Sequence, residues 1–386
     1  MIGRTGVGTL IYYVKNDSKG GKNMRRYYID NIRSFTIILV VLYHVIYMFN
    51  SIIPATVIGP IADTKWLDAI QYMLYPWFML ILFIISGMCS RFYLENHNDK
   101  EFLKARTRKL LVPSTIGLLV FGWAQGYMNM TIGNAFETMT DVPAPLMYLI
   151  MCASGTGVLW TIQVMWILSV ILLLIRKLEK DRLIKYGAKA NIFVLIFLGV
   201  IVWGAAQVLN TPVIVVYRFG IYGAGFLIGY YIFSHESVTD CLKKYAIPLL
   251  IAALFLGVAY TYFYFGQIFP EAPAVNSPLA ISYAWFMCLA IIGCFKKWRD
   301  GYNKFSIFMA KKSFGLYVFH YLTLSTTAYL LTKYTNLSAV LIYLLVTVSA
   351  FAGGLLLYEI ISRIPVIRWC VLGVVKSRKT GGEHNV

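Results

Sequence analysis

The sequence predicts an all-α integral membrane protein of about ten transmembrane helices with both termini in the cytoplasm. Three observations predict it. Of the 386 residues 59% are hydrophobic and only 13% charged, and the mean hydropathy is +0.67, whereas soluble domains are about 45–50% apolar and about 25% charged. The apolar residues come in runs of about 17–25 between short charged loops, the length that crosses a roughly 30 Å hydrocarbon core. The cations are segregated: with the N-terminus inside, the inner segments hold 32 of the 35 Lys and Arg residues. Adding or removing one helix would flip every later loop and destroy that separation. These features exclude a soluble enzyme and a disordered chain. They also exclude an outer-membrane barrel, whose strands alternate over about ten residues. The net charge of +18 follows from the topology and needs no nucleic-acid partner.

Taken in order, the apolar runs predict helices at roughly 34–52, 71–90, 110–128, 157–175, 191–209, 213–233, 245–266, 278–295, 313–332 and 338–361. Residues 1–23 read as a polar, Gly-rich leader. Lys19-Gly20-Gly21 is encodable as a purine-rich ribosome-binding sequence just before Met24, so these residues are either a translated leader with the natural start at Met24-Arg25-Arg26 or a disordered cytoplasmic tail. Residues 24–376 form one ten-helix domain, and 377–386 a cytoplasmic tail. The longer outer loops, 53–70 and 129–156, carry prolines and acidic residues. No internal repeat is visible, and the six cysteines fall mostly in apolar runs with no metal-ligand spacing. Chemistry is therefore expected within or beside the membrane helices, without a metal.

Ionisable groups inside a span cost a few kcal/mol and are functional candidates. His44, Arg218 and His320 lie inside predicted spans; Arg33, Arg91 and Glu359 lie at their cytoplasmic ends. Asp30, Arg33 and His44 are 3 and 11 residues apart. At 100° per residue all three share one helix face, with His44 about 16 Å above Arg33. A carboxylate and a guanidinium at an entrance with an imidazole deep inside describe a lined path. The alternative for His44 is a neutral imidazole bonded between helices; Arg33, Tyr43 and Tyr47 favour function. His320 is open between packing and site, and Arg218 between an anionic or hydroxyl-rich ligand and interhelical bonding. In Lys104-Ala-Arg106-Thr-Arg108-Lys109-Leu-Leu-Val-Pro113, Arg106 and Lys109 share a face and Arg108 points elsewhere. The cluster is either a positive-inside anchor or a phosphate site.

Asp30-Asn-Ile-Arg33 followed by His44 resembles the signature of the membrane-bound acyltransferase 3 family. The likeness continues in Phe83-Ile-Ile-Ser-Gly-Met88, the Arg106–Pro113 segment, Gly157-Val-Leu-Trp160, Ser313-Phe-Gly-Leu-Tyr-Val-Phe-His320 and Tyr358-Glu359 through Arg363-Ile-Pro365. It runs from Arg25 to Lys376. The resemblance implies ten membrane helices and transfer of an acyl group, commonly acetyl, from cytoplasmic acyl-CoA to a hydroxyl of an extracytoplasmic or membrane-linked glycan. It implies a multi-pass protein of the bacterial cytoplasmic membrane whose partners are acyl-CoA, a glycan or glycolipid acceptor and the bilayer. It puts His44 at the family's essential histidine, Arg33 at its partner arginine and the paired basic motif on Arg106 and Lys109. With the neighbouring charges, catalysis is expected at His44 (general base or acyl carrier), Arg33 and Asp30, and acyl-CoA binding at Arg106, Arg108, Lys109 and Arg91. Arg218, His320, Trp160 and Glu359 are expected on the acceptor side. Two departures stand out: Lys109 where the family has a second Arg, and Val158 and Thr161 where many members have His and Phe. The rival reading is a transporter or flippase for a polar or anionic glycan-related substrate, using the same residues without chemistry.

Overall fold

The computed structural model describes residues 26–53, 57–211 and 214–374; the expected leader (1–23) and tail (377–386) lie outside them. The described chain is helical, with a single isolated bridge, Asn210 to Arg218, as its only β feature. Eleven principal helices follow in order: α1 (Tyr27–Met48), α2 (Lys65–Leu94), α3 (Asp99–Ile132), α4 (Ala144–Ser154), α5 (Gly157–Glu179), α6 (Ile192–Ala206), α7 (Phe219–Phe233), α8 (Ala246–Tyr264), α9 (Pro278–Trp298), α10 (Lys304–Tyr334) and α11 (Ala339–Arg363). Seven of them, α1, α2, α3, α5, α8, α9 and α11, are long and apolar enough to cross a membrane. The chain is a multi-pass membrane protein. Each of the ten predicted runs is occupied by a helix: those seven together with α6, α7 and α10.

Burial sorts the helices into centre and rim. In α2, 83% of the apolar window is buried, against 22% in α11. Large apolar side chains stand exposed along α6 (Phe193, Phe197), α8 (Phe255, Val258) and α11 (Val340, Leu344). Water would penalise such faces and hydrocarbon accepts them. At the centre, α1 packs between α2 and α10, with α9 beside it.

Two predicted boundaries move, each for a local reason. The run 213–233 was expected to span the membrane with Arg218 inside it, but the helix begins at Phe219 and Arg218 is its N-cap. Ahead of it the chain reverses: Phe219 N–H donates to Leu209 C=O at 3.1 Å and Thr211 N–H to Tyr217 C=O at 3.2 Å. The β-branched residues Ile214, Val215 and Val216 suit an extended turn. The expected outer loop 129–156 contains α4, which is 11 residues long and, at about 16 Å, too short to span alone. It runs back along α3 and breaks from α5 at Gly157, whose φ is +42°. Buried backbone at such a break must find partners. Asn129 Nδ2 donates to Ser154 C=O at 2.8 Å, and the Tyr317 hydroxyl donates to Val158 C=O at 2.5 Å.

The helices approach closely where side chains vanish. A Cβ on Gly87 of α2 would stand 1.9 Å from the carbonyl oxygen of Phe226, and one on Gly229 of α7 would stand 2.1 Å from that of Ile84. Backbone cannot yield as a side-chain tip can, so this crossing requires glycine. Gly87→Val should cost at least about 1–3 kcal/mol by overpacking, read as a lower melting temperature in detergent and less protein in the membrane. An unchanged melting temperature would show that α2 and α7 do not cross here.

Candidate active site

On α1, one helical face carries Asp30, Arg33 and Ile37, with His44 further along the same helix. Arg33 Nη2 lies 3.3 Å from Asp30 Oδ1, both side chains only 14% exposed. The same nitrogen is 3.8 Å from the Cys89 thiol on α2. Asn31 ties the start of the helix down, donating to the carbonyls of Arg299 and Gly301. The guanidinium of Arg33 is thus held between a carboxylate and a thiol, where the first turns of α1 meet the last turns of α2.

His44 meets His320. His320 Nε2 is 3.1 Å from His44 Nδ1, joining α1 to α10. The partners settle the protons. His320 Nδ1 is 3.1 Å from Leu316 C=O and 2.9 Å from Tyr317 C=O. Carbonyl oxygens only accept, so Nδ1 carries the hydrogen and Nε2 of the neutral ring is a bare acceptor. His44 Nδ1 must then donate, shared between His320 Nε2 and Val40 C=O at 2.8 Å. What remains is His44 Nε2, a lone pair with no hydrogen-bond partner among the described residues. Tyr43 and Tyr321 place their rings 5.2 and 5.1 Å from the imidazole.

Below this pair a cavity of about 90 Å³ opens between α1, α2, α3, α5 and α10, room for several water-sized groups. Arg33 lies at one end and Tyr317, three residues before His320, at the other; Ile37, Ser86 and Thr161 line the wall between. Its wall is mostly aliphatic and aromatic. The cavity therefore leads from a cation at the helix ends to within one turn of the histidine pair.

The basic residues of α3 divide. Arg106 is 3% exposed. Its guanidinium donates to Ser90 Oγ at 2.6 Å and to the hydroxyl and carbonyl oxygens of Ser86 at 3.3 Å each, pinning α3 to α2. Lys109 is partly buried, within electrostatic reach of Arg108, Arg106 and Arg33, and Arg108 is exposed. A π-turn over Thr107–Leu111 sets these side chains, a device common at functional sites. The other expected residues lie elsewhere. Arg91 pairs with Glu95 at 3.5 Å and faces the Tyr230 ring. Glu359 is held by Lys312 at 2.5 Å and Arg363 at 3.2 Å, at the end of α11. Trp160 packs on Tyr222 and Tyr217. Arg218 is buried beside the loop that precedes α9.

One family model, described as an acyltransferase domain, matches residues 26–359 of the chain. The chain belongs to the acyltransferase 3 family. It is an acyltransferase, which decides for chemistry over a carrier that uses the same residues without it. No curated protein and no solved structure matches it. Within this acyltransferase the structure adds residues that the sequence did not single out. Ser86 and Ser90 hold Arg106, Cys89 faces Arg33, and Tyr317 bridges α10 to the break before α5. A signal existed: hydroxyls four residues apart in an apolar helix share one face, and Tyr317 sits within the His320 motif.

The tautomer relay makes a distinction between substitutions of His320. A glutamine there offers His44 Nδ1–H a carbonyl acceptor; a leucine offers none. His320→Leu should lower the transfer rate on the order of 100-fold, within the range that proton transfer by a positioned side chain contributes, and His320→Gln should recover much of it. In ¹⁵N spectra the His44 Nε2 resonance should lie in the unprotonated range in the wild type and the Gln variant. Equal activities of the Leu and Gln variants would show that His320 only packs.

Proposed function

We propose that this acyltransferase moves an acetyl or related acyl group from cytoplasmic acyl-CoA to a hydroxyl of an extracytoplasmic or membrane-linked glycan, in a bacterial cytoplasmic membrane with both chain ends inside. The observation that carries the reading is His44 Nε2, a bare base deep in the bundle one turn beyond an apolar cavity. The segregation of cations supports the orientation. Arg108 and Lys109 suit the phosphates of the donor, at the end of the bundle where Arg33 heads the cavity. The cavity suits a thin, largely apolar arm, and Arg33 stands about 16 Å from His44 along the helix.

In this reading His44 Nε2 accepts the proton of the acceptor hydroxyl as that oxygen bonds to the thioester carbonyl carbon. The imidazolium keeps its Nδ1–H on His320, which spreads the charge over two rings where, among the described residues, no carboxylate pairs with either. As the carbon–sulfur bond breaks, His44 returns the proton to the departing thiolate sulfur. The products are the ester and the free CoA thiol, and the histidine is restored. General-base assistance of this kind contributes about 10²–10⁴-fold.

Membranes holding the wild type should pass label from radiolabelled acetyl-CoA into a surface-glycan fraction. His44→Ala should lose that transfer by about 100-fold or more while protein remains in the membrane; retained transfer would remove His44 from the chemistry. Arg108→Ala with Lys109→Ala should raise KM for acetyl-CoA about tenfold at unchanged kcat, since a charge-assisted contact is worth about 1.5–3 kcal/mol. An unchanged KM would return these cations to simple membrane anchoring.

A further inference from the structure

Arg218 is 4% exposed, and among the described residues no carboxylate lies within ion-pair distance of it. Its Nη2 donates to neutral groups, Asn276 Oδ1 at 2.7 Å and Val275 C=O at 3.3 Å. Its Nε is buried without a partner, as are the hydroxyl oxygens of Tyr75 and Tyr260. Both tyrosines are within electrostatic reach of the guanidinium, and the Tyr222 phenol is within hydrogen-bonding reach of it. A guanidinium and unpartnered phenols thus gather at one place. Each has a hydrogen to donate, and the group they lack is an acceptor. An unpaired charge and unmade hydrogen bonds are expensive in a low-dielectric interior. An oxyanion would answer all of them at once.

The position is level with the histidine pair. Tyr43, the neighbour of His44, meets Phe78 at 5.0 Å, and Tyr222 stacks on Phe83 at 4.4 Å. Helices α2 and α7 run alongside each other in the same direction, Leu80 and Ile84 meeting Gly225, and Gly87 meeting Phe226 and Tyr230. Arg218, four residues before Tyr222, therefore stands near the level of Phe78, the depth of His44. Tyrosine rings fill the interval. Tyr43 lies 5.8 Å from Tyr47 and 6.3 Å from Tyr75, and Tyr222 is within electrostatic reach of both Tyr43 and Tyr75. Aromatic faces of this kind pack against the apolar faces of sugar rings while their hydroxyls bind polar groups.

We propose that Arg218 with Tyr75, Tyr222 and Tyr260 forms an acceptor subsite selective for a sugar bearing an oxyanion, a carboxylate or a phosphate, next to the hydroxyl that is acylated. The proposal rests on the acyl transfer to a glycan proposed above for its choice of a sugar, but its test needs no transfer. Purified protein in detergent is titrated with glucuronate, glucose 1-phosphate and glucose, read by thermal shift, while thiol release from acetyl-CoA is followed separately and bears on the transfer alone. The two anions should bind at least about tenfold more tightly than glucose, and Arg218→Gln should abolish the difference. Arg218→Lys keeps the charge and loses the planar fork, so it should weaken glucuronate more than glucose 1-phosphate. Three sugars bound alike, or none bound, would overturn the subsite. So would an anion preference that survives Arg218→Gln, which would move it to other cations. Should the Gln variant fail to fold, wild-type affinity for both anions in the Lys variant would overturn it equally.

Discussion

The contact between His44 and His320, 3.1 Å across 276 residues of sequence, is where the demands of the membrane and of the proposed chemistry meet. A polar ring in hydrocarbon needs partners for its nitrogens. His320 finds two carbonyls of its own helix and a histidine. His44 finds a carbonyl and that histidine, and is left with one free lone pair. The arrangement binds α1 to α10 and, by the same bonds, leaves His44 Nε2 bare, as the proposed base requires. Replacing either ring strands the other, so fold and proposed function share one network here.

The rest of the bundle can be understood as holding that network in register. Helix α2 is enclosed by protein because α1, α7 and α9 all pack against it, at places as tight as Gly87. Arg106, locked to Ser86 and Ser90, fixes α3 against the same helix. The chain break before α5 is stitched to α10 by Tyr317, one turn below His320. The cavity lies among these elements. Irregular backbone at membrane depth is tolerated where it is enclosed or lines such a space. The break is tied by Tyr317 to an element that lines the cavity.

Much of this was legible in the sequence, for physical reasons. Hydrocarbon thickness imposes a run length, so the helical segments could be read from apolar stretches alone. Helical periodicity placed Asp30, Arg33 and His44 on one face without any structure. The structure-dependent features are those set by distant partners. Nothing local says that His320, and not some other polar group, faces His44. The sequence left Arg106 open between an anchor and a phosphate site, and nothing local to it says that serines on another helix hold it. Arg91 and Glu359 are each taken up by a neighbour four residues away, and Glu359 also by a facing lysine. Arg218 could not be read as the cap of its helix because the turn preceding it is as apolar as a span.

The most direct measurement is an experimental structure of the wild type with acetyl-CoA bound. The account predicts the pantetheine arm between Arg33 and Tyr317, the phosphates near Arg108 and Lys109, and the thioester carbonyl within reach of a hydroxyl held by His44 Nε2. An arm that stays on the inner surface, or enters between other helices and leaves this cavity empty, would contradict it.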